Sequence, residues 1–199
     1  MNTQSSLIHG AFVLLFLSLL QSTPVSCYGD LARSRLTAQA EHNLAAITTH
    51  AVVKATELVD SVVDDLLFLD SQNTILLNYL SSLEDFLAIS GNQTKEVLQS
   101  FYDIVGVYLD ADVAEKTSSI ETQLISFLLQ RNGFDRWKRT IQLRTTQLLK
   151  SFGTKFKRYT ETLDQEERVV LEERWKLITV RNGQRKLEKF RNFVTWLAR

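Results

Sequence analysis

The chain has 199 residues with one cysteine, one proline, and 23 basic side chains against 23 acidic ones. A lone cysteine (Cys27) excludes an intrachain disulfide framework and a thiolate metal cluster, so the fold must rest on core packing, for which the length suffices. The zero net charge conceals a division: residues 28–130 hold 15 acidic and 5 basic side chains, and residues 131–199 hold 8 acidic and 18 basic.

Residues 1–27 contain no Asp, Glu, Lys or Arg and carry an apolar run at 11–20, followed by polar residues at 21–24. That run is well short of the ~20 residues needed to cross a bilayer, so 1–27 reads as a secretory signal peptide with the mature chain starting near Tyr28. Cleavage there would remove Cys27 and Pro24 together. The mature chain, 28–199, is predicted to be one secreted, extracellular, cysteine-free helical domain, with an acidic half (28–130) and a basic half (131–199).

Residues 28–43 show only a sparse stripe and read as a frayed lead-in. In 44–69 the apolar residues Leu44, Ile47, Ala51, Ala55, Leu58, Val62, Leu66 and Leu69 follow a 3-4-4 spacing. That eleven-residue period, about 3.67 residues per turn, predicts a long central helix over 44–70 with a persistent apolar stripe. Val52, Val59 and Val63 widen the stripe to roughly 200°, which suits a helix surrounded by others. Ser71, Gln72, Asn73 and Thr74 favour a break. A second helix is predicted over 75–90, stopped by Gly91, with a third region over 94–130 containing a polar bend. A fourth covers 134–152, with a kink expected at Gly153. Asp164 and Glu167 have the form of a capping box opening a further helix, and a last helix carries Leu187, Phe190, Val194 and Leu197. No alternating pattern competes. The predicted class is all-α: an antiparallel helical bundle of about four to six helices around the long central one, with no disulfides.

Little in the sequence points to catalysis. His42 and His50 are too far apart on a helix to share a metal, and no nucleophile elbow or phosphate-binding glycine loop occurs. The carboxylates Asp64, Asp65, Asp110 and Asp112 would need a concave site to do acid–base work. The expectation is a protein without enzymatic activity, metal or cofactor. Asn92-Gln93-Thr94 is an N-glycosylation acceptor, and its rival reading makes Asn92 a helix cap. Arg136, Lys138, Arg139, Lys155, Lys157, Arg158, Arg185, Lys186, Lys189 and Arg191 alternate with aromatic residues. With Trp196, which falls off the apolar face of its helix, they form a candidate face for an anionic partner or membrane surface. Glu57, Asp60 and Asp64 form a ridge on the central helix, read as the line on which the basic half docks.

The leading functional reading is a secreted helical protein that binds another extracellular protein or receptor; a secreted address argues against nucleic acid. The second rests on the eleven-residue spacing of 44–69, which resembles the amphipathic repeats of exchangeable lipid-carrying proteins and implies binding to lipid or a membrane surface. The high aromatic content departs from that type.

Overall fold

The eleven-residue stripe of the central helix does not begin at Leu44. Leu36 and Ala40 precede it at the same spacing and are buried, as is Thr37, whose hydroxyl donates to the Arg33 carbonyl within the helix. In the computed structural model, which describes residues 25–109, 119–179 and 185–199, the first helix α1 runs unbroken over Val25–Phe68. Its 44 residues span ~66 Å. The expected frayed lead-in is therefore helix. Its stripe was obscured by small and polar residues such as Thr37 and Ala40. The segment 1–27, expected to be a signal peptide, lies almost wholly outside the described residues.

The break after α1 falls where the turn-forming residues place it. Asp70 takes a positive φ of 46°, and the Asn73 side chain accepts from the amides of Ile75 and Leu76 to cap α2, Thr74–Ile89. A short 3-10 turn, Ser90–Asn92, follows. The left-handed residue there is Gln93 (φ 48°) rather than Gly91. Next come α3, Lys95–Leu109, and α4, Ile120–Arg131, so the region predicted over 94–130 is two helices. Residues 110–118, with Asp110 and Asp112, lie outside the described residues. Gly133, at φ 96°, turns the chain into α5, Phe134–Thr160. The Asp164 carboxylate accepts from the Glu167 amide and caps α6, Gln165–Thr179. The last helix, α7, is Arg185–Leu197. The described residues are all-α, with seven α-helices against the four to six expected.

α5 carries the same spacing as α1: Phe134, Trp137, Ile141, Thr145, Leu148, Phe152 and Phe156 are buried at intervals of 3, 4, 4, 3, 4 and 4. The two helices lie antiparallel. Asn132, just before α5, donates to Asp65 (2.7 Å), the Trp137 indole donates to the Ala51 carbonyl (2.9 Å), and Lys155 donates to Gln39. Ala51, Val52, Ala55, Val59 and Val62 are fully buried. Such short side chains let neighbouring helices approach closely. α2, α3, α4 and α7 also pack on α1, and the buried residues form one continuous cluster. Leu69 lies past the end of α1 and is 44% exposed, the one member of the predicted stripe left uncovered.

Two aromatic groups hold the ends of α5. At its start, Trp137 packs edge-on to Phe101 (4.9 Å between centroids) and Tyr102 (5.4 Å) of α3. Toward its end, Phe152 and Phe156 meet Trp175 of α6 and Phe193 of α7. α5 runs through Gly153 without a break. A Cβ there would stand 3.3 Å from the Trp175 ring, whereas one on Gly106 in α3 would meet nothing within 4 Å. The two glycines should therefore respond in opposite ways. Gly106→Ala is expected to stabilise the protein by about 0.5–1 kcal/mol through helix propensity alone. Gly153→Val is expected to cost about 1–3 kcal/mol by overpacking against Trp175. Urea denaturation followed by tryptophan fluorescence measures both.

Candidate cationic docking face

Burying one stripe of α5 turns the remaining residues outward, and those residues are cationic. Arg136, Lys138, Arg139, Arg144, Lys150, Lys155, Lys157 and Arg158 are all exposed. Asp135 is the helix's one carboxylate. At ~100° per residue, Arg136, Arg139, Lys150 and Lys157 fall within a sector of roughly 60°. Leu143 and Thr154 share that sector; Arg158, Arg144 and Lys155 lie ~40–100° to one side of it and Lys138 ~100° to the other. From Arg136 to Arg158 the strip is ~33 Å long. Among the described residues none of these eight cations has a carboxylate within 4 Å. Lys155 instead donates to the neutral Gln39 amide. Burial, and after it the Arg144 guanidinium, push the His50 imidazole below its usual value.

The structure divides the predicted basic and aromatic face. Arg136, Lys138, Arg139, Lys155, Lys157 and Arg158 stay together on α5. The α7 residues separate from them. Lys186 donates to the Thr179 carbonyl (3.3 Å), and Arg191 is half-buried, donating to the Thr48 hydroxyl (3.0 Å). Lys189 is half-buried, and the side chain of Arg185 lies outside the described residues. Trp196 is not turned outward: it is half-buried against Phe193, with the Arg174 guanidinium 4.0 Å over its ring. That cation–π contact was invisible to a helical wheel because Arg174 comes from α6. The aromatic residues interleaved with the cations are core residues: Phe152, Phe156, Phe190 and Phe193 are all buried.

The acidic ridge is likewise not the line on which the basic half docks. Glu57 pairs with Lys54 of its own helix (2.6 Å), and Asp60 and Asp64 are exposed with no basic group within 4 Å among the described residues. The carboxylate that does join the halves is Asp65, which the ridge omitted. It receives the Asn132 amide (2.7 Å) and lies 3.6 Å from Arg131. The adjacent acids diverge by ~100° on the helix, so Asp65 faces α4 while Asp64 faces water.

At Asn92 the structure separates the two readings of the motif. Asn92 is exposed in the 3-10 turn, and the cap of α3 comes from Thr94, whose hydroxyl accepts from the Val97 amide. Among the described residues no group of three or more His, Cys, Asp or Glu is placed to hold a metal ion, and no helix is long and apolar enough to cross a membrane. Comparison with protein-family models, curated proteins and solved structures gives no match to this chain.

Replacing Asp65 by Ala should cost about 1 kcal/mol, since it removes a charge-assisted hydrogen bond that is partly shielded from water. Reversing Glu57, Asp60 and Asp64 together to Lys should shift stability by no more than about 0.5 kcal/mol per site. Thermal melts of both variants at low and high salt provide the comparison.

Proposed function

We propose that the protein is a secreted, non-enzymatic helical bundle without disulfides that binds an extracellular protein through the cationic face of α5. The observation that carries this reading is the unpaired charge. Eight exposed cations line one helix, and no carboxylate of the described chain comes within 4 Å of any of them. An acidic surface on a partner would complete what the fold leaves unmatched, with most of its effect on association rate and orientation.

The membrane-surface alternative receives less support. Interfacial helices bury an apolar face in the lipid. On the outer sector of α5 the one large apolar side chain is Leu143, and the aromatic residues that would enter a bilayer are in the core. The stripe of α1 that resembles lipid-carrying repeats is covered by other helices.

The experiment uses poly-L-glutamate as an acidic polypeptide probe, beside vesicles of phosphatidylserine and phosphatidylcholine. The wild-type protein is expected to bind poly-L-glutamate with an affinity that falls about tenfold or more between 50 and 200 mM salt. Arg136→Gln, Arg139→Gln, Lys150→Gln and Lys157→Gln in one chain should abolish most of that binding while leaving the melting curve in place. Equal binding by wild type and variant, or binding to vesicles alone, would overturn the reading.

The extracellular address has its own test. The charge-free leader and the exposed, non-capping Asn92 support secretion with a glycan at Asn92. Full-length chain expressed in secretory cells is expected in the medium, with an electrophoretic mobility that increases on enzymatic deglycosylation. The shift should be lost in Asn92→Gln. Retention inside the cells would refute the secreted address.

A further inference from the structure

α1 and α5 bury their stripes in one core, and their exposed side chains Gln39 and Lys155 meet across the seam between them. Their outer faces therefore open on the same side of the molecule. On α5 that face is the cationic strip. On α1, ~100° per residue places Val53, Glu57, Asp60, Asp64 and Leu67 within a sector of roughly 80°, and all five are exposed. One surface thus carries an acidic ridge beside a basic strip.

The two do not neutralise each other within the chain, because they point the same way. Among the described residues the strip has no carboxylate within 4 Å, and Asp60 and Asp64 have no basic group within that distance. Glu57 holds Lys54 in an exposed pair, which water and salt weaken. Only a surface laid over both helices, with its own charges in the opposite order, matches them.

The chain itself has that surface. A two-fold axis parallel to the helix pair lays each α5 over the α1 of the other copy, antiparallel and at the height it holds in its own chain. The contacts Asp65–Asn132, Ala51–Trp137 and Gln39–Lys155 fix those heights. Arg136 and Arg139 then fall within about one turn of Glu57 and Asp60 of the other copy, with Leu143 beside its Val53. Lys150 and Lys157 pass over Gln39, His42 and Ala46, so the attraction is concentrated at the Arg136–Arg139 end. The face is ~33 Å long and two helices, or ~18 Å, wide, which is roughly 600 Å² against the ~800 Å² per partner of a standard interface. Zero net charge leaves no overall repulsion between copies. We propose that the partner of the cationic face is a second copy of this chain, in a symmetric dimer that sets α5 of each copy on α1 of the other. This inference rests on the docking role given to the α5 strip above and names its occupant.

Sedimentation equilibrium of the purified chain tests it. Wild type is expected to show a monomer–dimer equilibrium whose association constant falls about tenfold or more between 50 and 200 mM salt. Arg136→Glu with Arg139→Glu should be monomeric, as should Glu57→Lys with Asp60→Lys, and all four changes in one chain should restore the dimer. Lys150→Glu with Lys157→Glu alters net charge as much as the Arg136 and Arg139 pair but should leave the dimer in place. Combined with Glu57→Lys and Asp60→Lys, it returns net charge to zero and should not restore association. Circular dichroism melts establish that each variant is folded. A wild-type chain that stays monomeric at low salt yet binds poly-L-glutamate would overturn the dimer and leave the docking role of the strip intact. A dimer that survives either Arg136 and Arg139 or Glu57 and Asp60 reversal, or that the four changes together fail to restore, would also overturn it.

Discussion

The fold depends on two helices that share one pitch. α1 and α5 both repeat their buried residues every eleven positions, so their apolar stripes share one period and stay matched along the length of α5. The Trp137 indole fixes their relative position by donating to the Ala51 carbonyl, at a point where the α1 side chains are small enough to admit a large ring. Trp137 also carries the contact outward, since Phe101 and Tyr102 of α3 pack on its faces and edges. Register and core formation are therefore one event, because the ring that supplies the hydrogen bond is also the centre of the aromatic group around it.

Half of this pair was legible in the sequence. The α1 stripe consists almost wholly of Leu, Val, Ile and Ala, and its period can be read directly. The α5 stripe has the same spacing, but Thr145 occupies one of its places, and Gly153 beside Phe152 reads as a kink. Thr145 is tolerated because its hydroxyl returns to the Ile141 carbonyl, 2.8 Å away and one turn back. Gly153 makes room for Trp175, a partner from a helix that has not yet begun at that point in the chain. Local pattern could not reveal either reason. The same limit explains Trp196, which a wheel turns outward and which Arg174 covers from α6. The division of charge was legible as a count, but not its arrangement. Asp65 reaches Asn132 and Arg131 of the segment leading into α5, whereas Asp64 beside it does not.

Apolar stripes that face each other leave the charges facing away. The acidic and basic halves of this chain are therefore joined by packing and scarcely by ion pairs. Among the described residues the ion pair between helices is Arg131–Asp65, and the other pairs lie within single helices. Exposed pairs contribute about 0–1 kcal/mol each, so their scarcity is a small loss against a core that buries dozens of apolar side chains. What the arrangement sets is the external field: one side of the molecule is strongly positive because the neutralising carboxylates belong to helices that do not reach it.

That field is hard to explain as a device for stability. A surface helix selected only to fold gains from acid–base pairs one turn apart, at about 0.3–0.5 kcal/mol each. α6 has such a pair in Arg168 and Glu172, 2.9 Å apart. α5 is longer and has space for several, yet Asp135 at its first turn is its one carboxylate, and its outer positions otherwise hold lysine, arginine, hydroxyl and amide side chains with Leu143 among them. Arg136 and Arg139 stand three residues apart, as do Lys155 and Arg158, so like charges are neighbours on the helix surface and repel. A helix that forgoes such stabilisation along its whole exposed side, while keeping a strict buried stripe on the other, is arranged for something beyond its own chain. The packed core of the protein holds that strip in place along one helix, which is what a docking surface requires.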